Sequence, residues 1–287
     1  MEKEGFIGKY KVINWIKGVI FIILGILNNR FDVGYHWFLD NLIFGPIIYI
    51  FIIISGMLIA LDLRSDNGDR GEKSNKKLTI KNLAYIFFLI AYGINCVYVF
   101  YFQRNIIILI VLGGVGIIWY ILSLFGKDWE KRSLLVTLIV SFTVAFGLIF
   151  GALLNDISIP TWSYFFFSAI FTLQFSKDII KSCEKGISRT ENEKYGNFCD
   201  IFTAKKTQRI ALALQIIAIL SLTLPLILGV YNGFLYLITG LIVIILVAIS
   251  AILNLIYDFE EKYSGKVFVL LKIGMFFSII AIFFASI

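Results

Sequence analysis

The chain has 287 residues, of which 59% are hydrophobic, and its formal net charge is +7. A soluble domain is closer to half apolar, and the excess here lies in long runs rather than in alternating patterns, which excludes an ordinary water-soluble fold. The basic residues lie between the apolar runs, as membrane topology predicts, so the positive charge does not indicate nucleic-acid binding. Three cysteines without a CxxC pair and a single histidine exclude a Cys/His zinc site.

The apolar segments, taken in chain order, predict nine transmembrane helices. A helix needs about 20 residues to cross the bilayer core, and helices are expected because backbone polar groups must be paired inside the bilayer. The predicted segments are 12–28, 42–61, 82–101, 105–125, 133–152, 161–177, 209–228, 232–256 and 267–286. The sequence therefore predicts an all-α polytopic membrane protein in which residues 1–287 form a single transmembrane domain.

The distribution of lysine and arginine predicts the orientation of these helices. If the N-terminus is cytoplasmic, only Arg30 and Arg104 of the 26 basic residues fall outside. We therefore expect a multi-pass protein of the cell membrane. Its two longest cytoplasmic loops, about 62–81 and 178–208, follow the second and sixth helices. Their matching positions indicate a weak internal repeat of parallel orientation.

Paired carboxylates stand at the start of the first of these loops. Asp62 and Asp66 are spaced i,i+4, so on a continuing helix they share one face. Oxygen ligands without histidine or cysteine suit Mg²⁺, which binds carboxylates together with substrate phosphates. A DxxxD pattern alone is a weak signal, and a solvated loop between two helices is the competing interpretation.

The second loop begins with charged residues at the membrane end of the sixth helix. Asp178 follows Lys177 there, where ionisable groups are costly and tend to be functional. Lys177 and Lys181 can neutralise a diphosphate as mobile point charges. The competing interpretation is that these lysines are anchors that reach to the membrane surface.

A third polar pair lies before Pro160. Asn155 and Asp156 follow the fifth predicted helix, on the predicted outer side of the membrane. Such residues before a proline are expected to form a turn or a helix cap.

The segments LIALDLRSD and FSKDIIKSCEKG resemble the two aspartate-rich motifs of the UbiA-type membrane prenyltransferase superfamily, most closely its archaeal digeranylgeranylglyceryl phosphate synthase branch. The stretch FGKDWEKRSLLVTLIVSFTVAFGLIFGALL is similar to the family's fourth and fifth helices. The resemblance implies a nine-helix bundle around a central cavity. It also implies Mg²⁺-dependent transfer of a prenyl group from a polyprenyl diphosphate to a lipid or aromatic acceptor. The catalytic and metal-binding residues implied are Asp62, Asp66 and Asp178, and the diphosphate-binding residues are Lys177, Lys181, Lys73 and Arg70.

The chain departs from the family pattern at several positions. Leu58 replaces the asparagine of the first motif, and two aspartates expected after Asp178 are replaced by Lys181 and Lys185. Either one Mg²⁺ is kept while the lysines supply the charge of a second cation, or catalysis has been lost. In the latter case the chain is a non-catalytic membrane protein that binds or transports an isoprenoid lipid. A CDP-alcohol phosphatidyltransferase is excluded because residues 40–61 lack its DG and AR sequences.

Overall fold

The computed structural model of the protein describes residues 10–30, 34–64, 74–102, 104–125, 132–187, 199, 202–229, 233–257 and 261–286. Within these ranges the chain forms nine α-helices, and each predicted segment corresponds to one of them. The helices are α1 (Tyr10–Asn28), α2 (Tyr35–Arg64), α3 (Ser74–Tyr101), α4 (Ile107–Phe125), α5 (Arg132–Asn155), α6 (Thr161–Ile187), α7 (Ala204–Ile227), α8 (Phe234–Ile256) and α9 (Glu261–Ser286).

Seven of the described helices, α2 to α5 and α7 to α9, are long and apolar enough to cross a membrane. The apolar part of α1 is shorter and covers Asn14–Asn28. The apolar run of α6 is interrupted by Gln174, Lys177 and Asp178. The predicted all-helical polytopic fold is confirmed, whereas the number of spans and the cytoplasmic N-terminus stay predictions.

Two helices continue beyond the apolar runs from which they were predicted, α2 by three residues and α6 by ten. Helix α2 extends to Arg64, and α6 extends ten residues past position 177, to Ile187. Lysine, glutamate and arginine are good helix formers, so an apolar run marks the bilayer and not the end of the helix. The predicted loop starts at 62 and 178 were therefore wrong. Asp62 lies in the last turn of α2, and Asp178 lies inside α6.

The first compact unit comprises residues 1–128 and 142–159. Helix α2 packs against α1 and α3, and α4 packs against α3. Its core includes a stack of aromatic rings in which Tyr49 and Phe150 lie 6.0 Å apart, between α2 and the second part of α5. Helices α1 and α5 touch through backbone, because a Cβ added to Gly25 or Gly151 would collide with a carbonyl oxygen of the other helix. Small residues allow this close approach between membrane helices.

The second compact unit comprises residues 129–141 and 160–287. Helix α6 packs against α7 and α9, and α8 packs against α7 and α9. Leu173, Ile180, Leu222, Val247 and Leu271 are among the buried residues of its core.

A disulfide in the second unit joins Cys183 of α6 to Cys199. Disulfides are typical of oxidising compartments. The bond therefore opposes the charge-based prediction that the segment 178–208 is cytoplasmic, and the two indications place this segment on different sides of the membrane.

Candidate functional site

Asp62 is a buried carboxylate at the end of α2. The residue is 1% exposed, and it lies on the same face of the helix as Ser55 and Ile59, which are also buried. A buried ionised carboxylate is costly unless a charge, hydrogen bonds or a metal ion compensates it. The burial of Asp62 therefore favours a functional role over the solvated loop that was the competing interpretation.

Polar side chains of α3 and α4 form a small cluster around Tyr85. The Tyr85 hydroxyl forms a hydrogen bond with the Ser123 hydroxyl, and the Asp62 carboxylate lies within electrostatic range of Tyr85. The Lys81 ammonium lies 5.8 Å from the centroid of the Tyr85 ring. Sequence reasoning missed these residues, although the i,i+4 spacing of Lys81 and Tyr85 places both on one face of α3.

Gln174, Lys177 and Asp178 form a closed triad within one turn of α6. The Lys177 ammonium donates to Gln174 Oε1 at 2.7 Å, and Gln174 Nε2 donates to Asp178 Oδ2 at 2.6 Å. Lys177 Nζ also lies 3.3 Å from Asp178 Oδ1. The spacings i,i+3 and i,i+4 bring these side chains together on one helical face. The glutamine was missed from the sequence, although its distance from the predicted Lys–Asp pair was a sufficient signal.

The triad compensates its own charges. Lys177 is 6% exposed, whereas the side chain of Asp178 is 23% exposed. Since each carboxylate oxygen of Asp178 already has a neighbour in α6, the geometry favours Asp178 as a residue that positions Lys177. Its assignment as a metal ligand stays a prediction.

Lys181 continues the basic face of α6. It follows Lys177 by one turn, and its ammonium lies 5.3 Å from the centroid of the Phe268 ring of α9. A cation over an aromatic face is stabilised by the ring quadrupole. Beside this face, Ser176 donates to the Ala211 carbonyl at 3.2 Å and accepts from Gln215 at 3.3 Å, which ties α6 to α7. Helix α6 therefore presents two lysines on a firmly packed helix.

The remaining predicted site residues, Asp66, Arg70 and Lys73, lie outside the described residues. Asp62 belongs to the first unit, and Lys177, Asp178 and Lys181 belong to the second. In the part of the chain that the structure describes, no group of three or more His, Cys, Asp or Glu side chains could hold a metal ion. The oxygen donor of Asp62 suits Mg²⁺, which takes one or two carboxylates and completes its shell with water and phosphate.

Asn155 and Asp156 serve different purposes at the opposite end of the first unit. Asp156 accepts hydrogen bonds from the Ser158 amide at 3.2 Å and from its hydroxyl at 2.9 Å, so the predicted turn is confirmed. The Asn155 amide instead donates to the carbonyls of Ile26 at 2.6 Å and Asn29 at 2.9 Å. Asn155 therefore joins α5 to the end of α1.

Comparison with known proteins identifies a solved structure of the same fold, but no matching family. No family model matches the chain, and no curated protein matches it. A solved structure, from work on the biosynthesis of digeranylgeranylglyceryl phosphate synthase in membranes, aligns with a TM-score of 0.71 at 18% identity. The alignment covers 96% of this chain and 98% of the other. At this identity the alignment shows the fold alone, and that fold is the one that the sequence resemblance implies.

Proposed function

We propose that the protein is an integral membrane prenyltransferase, which moves a prenyl group from a polyprenyl diphosphate to a lipid or aromatic acceptor. The observation that carries the proposal is the burial of the Asp62 carboxylate at the end of α2. The fold supports it, because 96% of the chain aligns with the synthase structure.

In the first unit, Asp62 and Asp66 are the proposed ligands of Mg²⁺. Bound there, the ion supplies Lewis-acid stabilisation of the charge that develops on a departing diphosphate. Tyr85, within electrostatic range of Asp62, and Lys81, which lies over the Tyr85 ring, would offer an O–H and an ammonium to the oxygens of this diphosphate. The hydroxyl pair of Tyr85 and Ser123 fixes the position of the phenol.

In the second unit, Lys177 and Lys181 are proposed to bind diphosphate through their positive charge. In the first unit, Lys73 and Arg70 are predicted to have the same role. Gln174 and Asp178 hold the Lys177 ammonium in place through bonds of 2.7 and 3.3 Å. A preorganised cation stabilises developing negative charge without reorganising during the reaction. Asp178 is therefore a positioning residue in this proposal, in addition to its predicted metal role.

The reaction breaks the bond between the prenyl carbon and the diphosphate oxygen, and the bonding electrons leave with the diphosphate. A nucleophilic atom of the acceptor forms the new bond to the allylic carbon and gives up its proton to the released diphosphate. Apolar surroundings protect the allylic cation from water. The buried apolar side chains next to Asp62 in α2, Ile59 and Leu63, support this part of the proposal.

The second candidate is a non-catalytic protein of the same fold that binds or transports an isoprenoid lipid. The observation that favours it is the self-compensated triad, in which both oxygens of Asp178 are engaged by Lys177 and Gln174. Lys181 adds a further positive charge at a position where the family carries an aspartate. Both features discourage a second cation on α6.

One assay separates the two candidates. Purified full-length protein is incubated with radiolabelled geranylgeranyl diphosphate and Mg²⁺, together with a glycerol-phosphate lipid, an aromatic quinone precursor or a tetrapyrrole as acceptor. We expect a labelled product with at least one acceptor, lost on adding EDTA and restored by excess Mg²⁺. Absence of every product, combined with diphosphate binding that ignores EDTA in isothermal titration, would contradict the enzyme and favour the lipid-binding protein.

A further inference from the structure

An open cleft of about 530 Å³ lies in the first unit, at the end opposite to Asp62. Its walls come from the start of α2, the α3–α4 connection and the end of α5. The charge distribution predicts that this end of the unit faces the outside of the cell. Trp37, Arg104 and Asp156 are among the residues that line the cleft.

Arg104 is a buried cation in the wall of this cleft. Its side chain is 3% exposed, and its guanidinium carbon lies 4.1 Å from the Trp37 ring centroid and 5.5 Å from that of Tyr98. Nη2 donates to the Trp37 carbonyl at 3.3 Å and forms a loose ion pair with Asp40 Oδ2 at 4.0 Å, which is longer than a hydrogen bond.

The donors of Arg104 exceed the acceptors around them. A guanidinium carries five N–H groups, and the buried Nε of Arg104 has no hydrogen-bond partner among the described residues. Leaving buried donors of a charged group unmatched is costly. The arrangement therefore suits an anionic ligand that presents several oxygens to a planar fork, as a phosphate does.

Asp156 places a negative charge in the lining of the same cleft. The hydrogen bonds from the Ser158 amide and hydroxyl lower the pKa of Asp156, so its carboxylate is ionised at neutral pH. The carboxylate repels a ligand that carries only negative charge and attracts an ammonium group. Arg104, which Asp40 approaches only to 4.0 Å, and the partly exposed Asp156 together suit a ligand that carries both charges.

The remaining walls indicate that the ligand also has an apolar part. Five aliphatic side chains line the cleft beside the charged groups. Exposed aromatic residues stand at the same ends of α2 and α3, namely Tyr35, Trp37 and Tyr101, and such aromatics mark the interface between membrane and water. A molecule in the cleft would therefore lie at the depth of lipid headgroups.

We propose that this cleft binds the headgroup of a zwitterionic phospholipid of the outer leaflet. The phosphate pairs with Arg104, the ammonium group lies by Asp156, and an acyl or prenyl chain follows the aliphatic wall. The site is independent of the proposed prenyl transfer, because its residues are at the other end of the first unit from Asp62.

Lipid retention by the full-length protein tests the proposal. Delipidated protein in detergent is titrated with phosphatidylethanolamine and with phosphatidylglycerol, and bound lipid is counted by native mass spectrometry. Because a hydrogen bond to a charged group is lost, Arg104→Gln should weaken binding of both lipids by at least about tenfold. Arg30→Gln is the matched control: it removes the other arginine predicted to be outside, which does not line the cleft, and it should leave retention unchanged. Equal retention by wild type and Arg104→Gln overturns the proposal.

A second variant keeps the test decisive if Arg104→Gln fails to fold. Asp156 lies outside the helices, and Asn preserves the acceptor for the Ser158 amide, so Asp156→Asn should fold normally. It should abolish the preference for phosphatidylethanolamine over phosphatidylglycerol, and an unchanged preference contradicts the proposal. Inorganic phosphate and free phosphoethanolamine should displace the lipid only weakly. Displacement as effective as that by the lipid would assign the cleft to a soluble phosphate compound and overturn the lipid site.

Discussion

The ends of α2 and α6 solve the same electrostatic problem in different ways. Each helix carries an aspartate just beyond its apolar run. Asp178 of α6 is neutralised within its own helical turn, by the Lys177 ammonium at 3.3 Å and the Gln174 amide at 2.6 Å. Asp62 of α2 is 1% exposed and has no lysine or glutamine at the corresponding positions of its own turn, where Leu58 and Leu61 stand.

The difference indicates a division of labour between two related helices. A carboxylate that is compensated by its own helix adds little net charge, so α6 presents mainly the positive charge of its lysines. A buried carboxylate without such neighbours on its helix attracts a cation from elsewhere. This contrast agrees with the proposal that Asp62 of α2 binds metal and that the lysines of α6 bind phosphate.

Replacing the α2 carboxylate should give the largest effect. Asp62→Asn keeps the size of the side chain and removes its charge, so prenyl transfer should fall by about 1,000-fold, the upper range for the loss of one preorganised electrostatic group. Turnover of labelled prenyl diphosphate at saturating Mg²⁺ measures this loss.

Asp40→Asn is the matched control for Asp62→Asn. It removes a carboxylate from the same helix at a distance of about 33 Å along the axis, and it should leave turnover unchanged. Full activity in Asp62→Asn, with normal folding of both variants, would remove the distinction between the two aspartates.

Removing the disulfide should lower the stability of the second unit, which contains α6. The bond between Cys183 and Cys199 closes a loop of 16 residues, and Cys199→Ala should lower the free energy of unfolding by about 3 kcal/mol through the entropy of the unfolded chain. Equilibrium unfolding in mixed micelles measures the change. Cys96→Ala, which removes the free cysteine, should have a much smaller effect. Equal stability of the two variants would show that the bond does not constrain this half.

Removing the buried ammonium should test the anion-binding role of α6. Lys177→Gln should raise the KM for the prenyl diphosphate by about 10- to 100-fold, because a charged hydrogen-bond donor is lost. Lys205→Gln changes an exposed lysine at the start of α7 and should leave the KM unaltered. A fall in kcat alone, without a change in KM, would argue against contact between Lys177 and the bound diphosphate.

Breaking the bridge of the triad should give the smallest effect. Gln174→Met preserves the length of the side chain but removes both of its hydrogen bonds. We expect a loss of about 1–3 kcal/mol in unfolding free energy, because two charged groups lose a neutral partner. In the background of Asp178→Asn the same substitution should cost less, since one of its partners is then uncharged. Equal losses in both backgrounds would mean that the glutamine and the aspartate act separately.

Much of this architecture could be predicted from the sequence, because apolar runs determine where helices cross a membrane. The ends of α2 and α6 could not be predicted, because Asp62 and Asp178 are compatible with either a loop or a continuing helix. Cys183 and Cys199 carry no spacing motif, and their pairing depends on how the chain returns to α6. Asn155 has the composition of a turn residue, yet it bonds to carbonyls near the end of α1.

The side chains near Asp62 and Lys177 also show which contacts the sequence can predict and which it cannot. Gln174 lies within the same helix as Lys177, so its spacing could have revealed it. Tyr85, within electrostatic range of Asp62, belongs to a different helix, and proximity between helices depends on packing that no local pattern records. Local partners can therefore be predicted from spacing, whereas partners on other helices require the fold.

The glycine contact between α1 and α5 has a consequence for how the protein is made. Asn29, just after α1, bonds to the carbonyl of Ala152, 123 residues later in the chain. At a synthesis rate of about 5–20 residues per second, α1 enters the membrane about 6 to 25 s before α5 arrives. During that interval the face around Gly25 meets lipid or the insertion machinery. In nascent chains that end before α5, α1 should therefore lack its packing partner. Assembly of the first unit is completed only when α5 is released into the membrane.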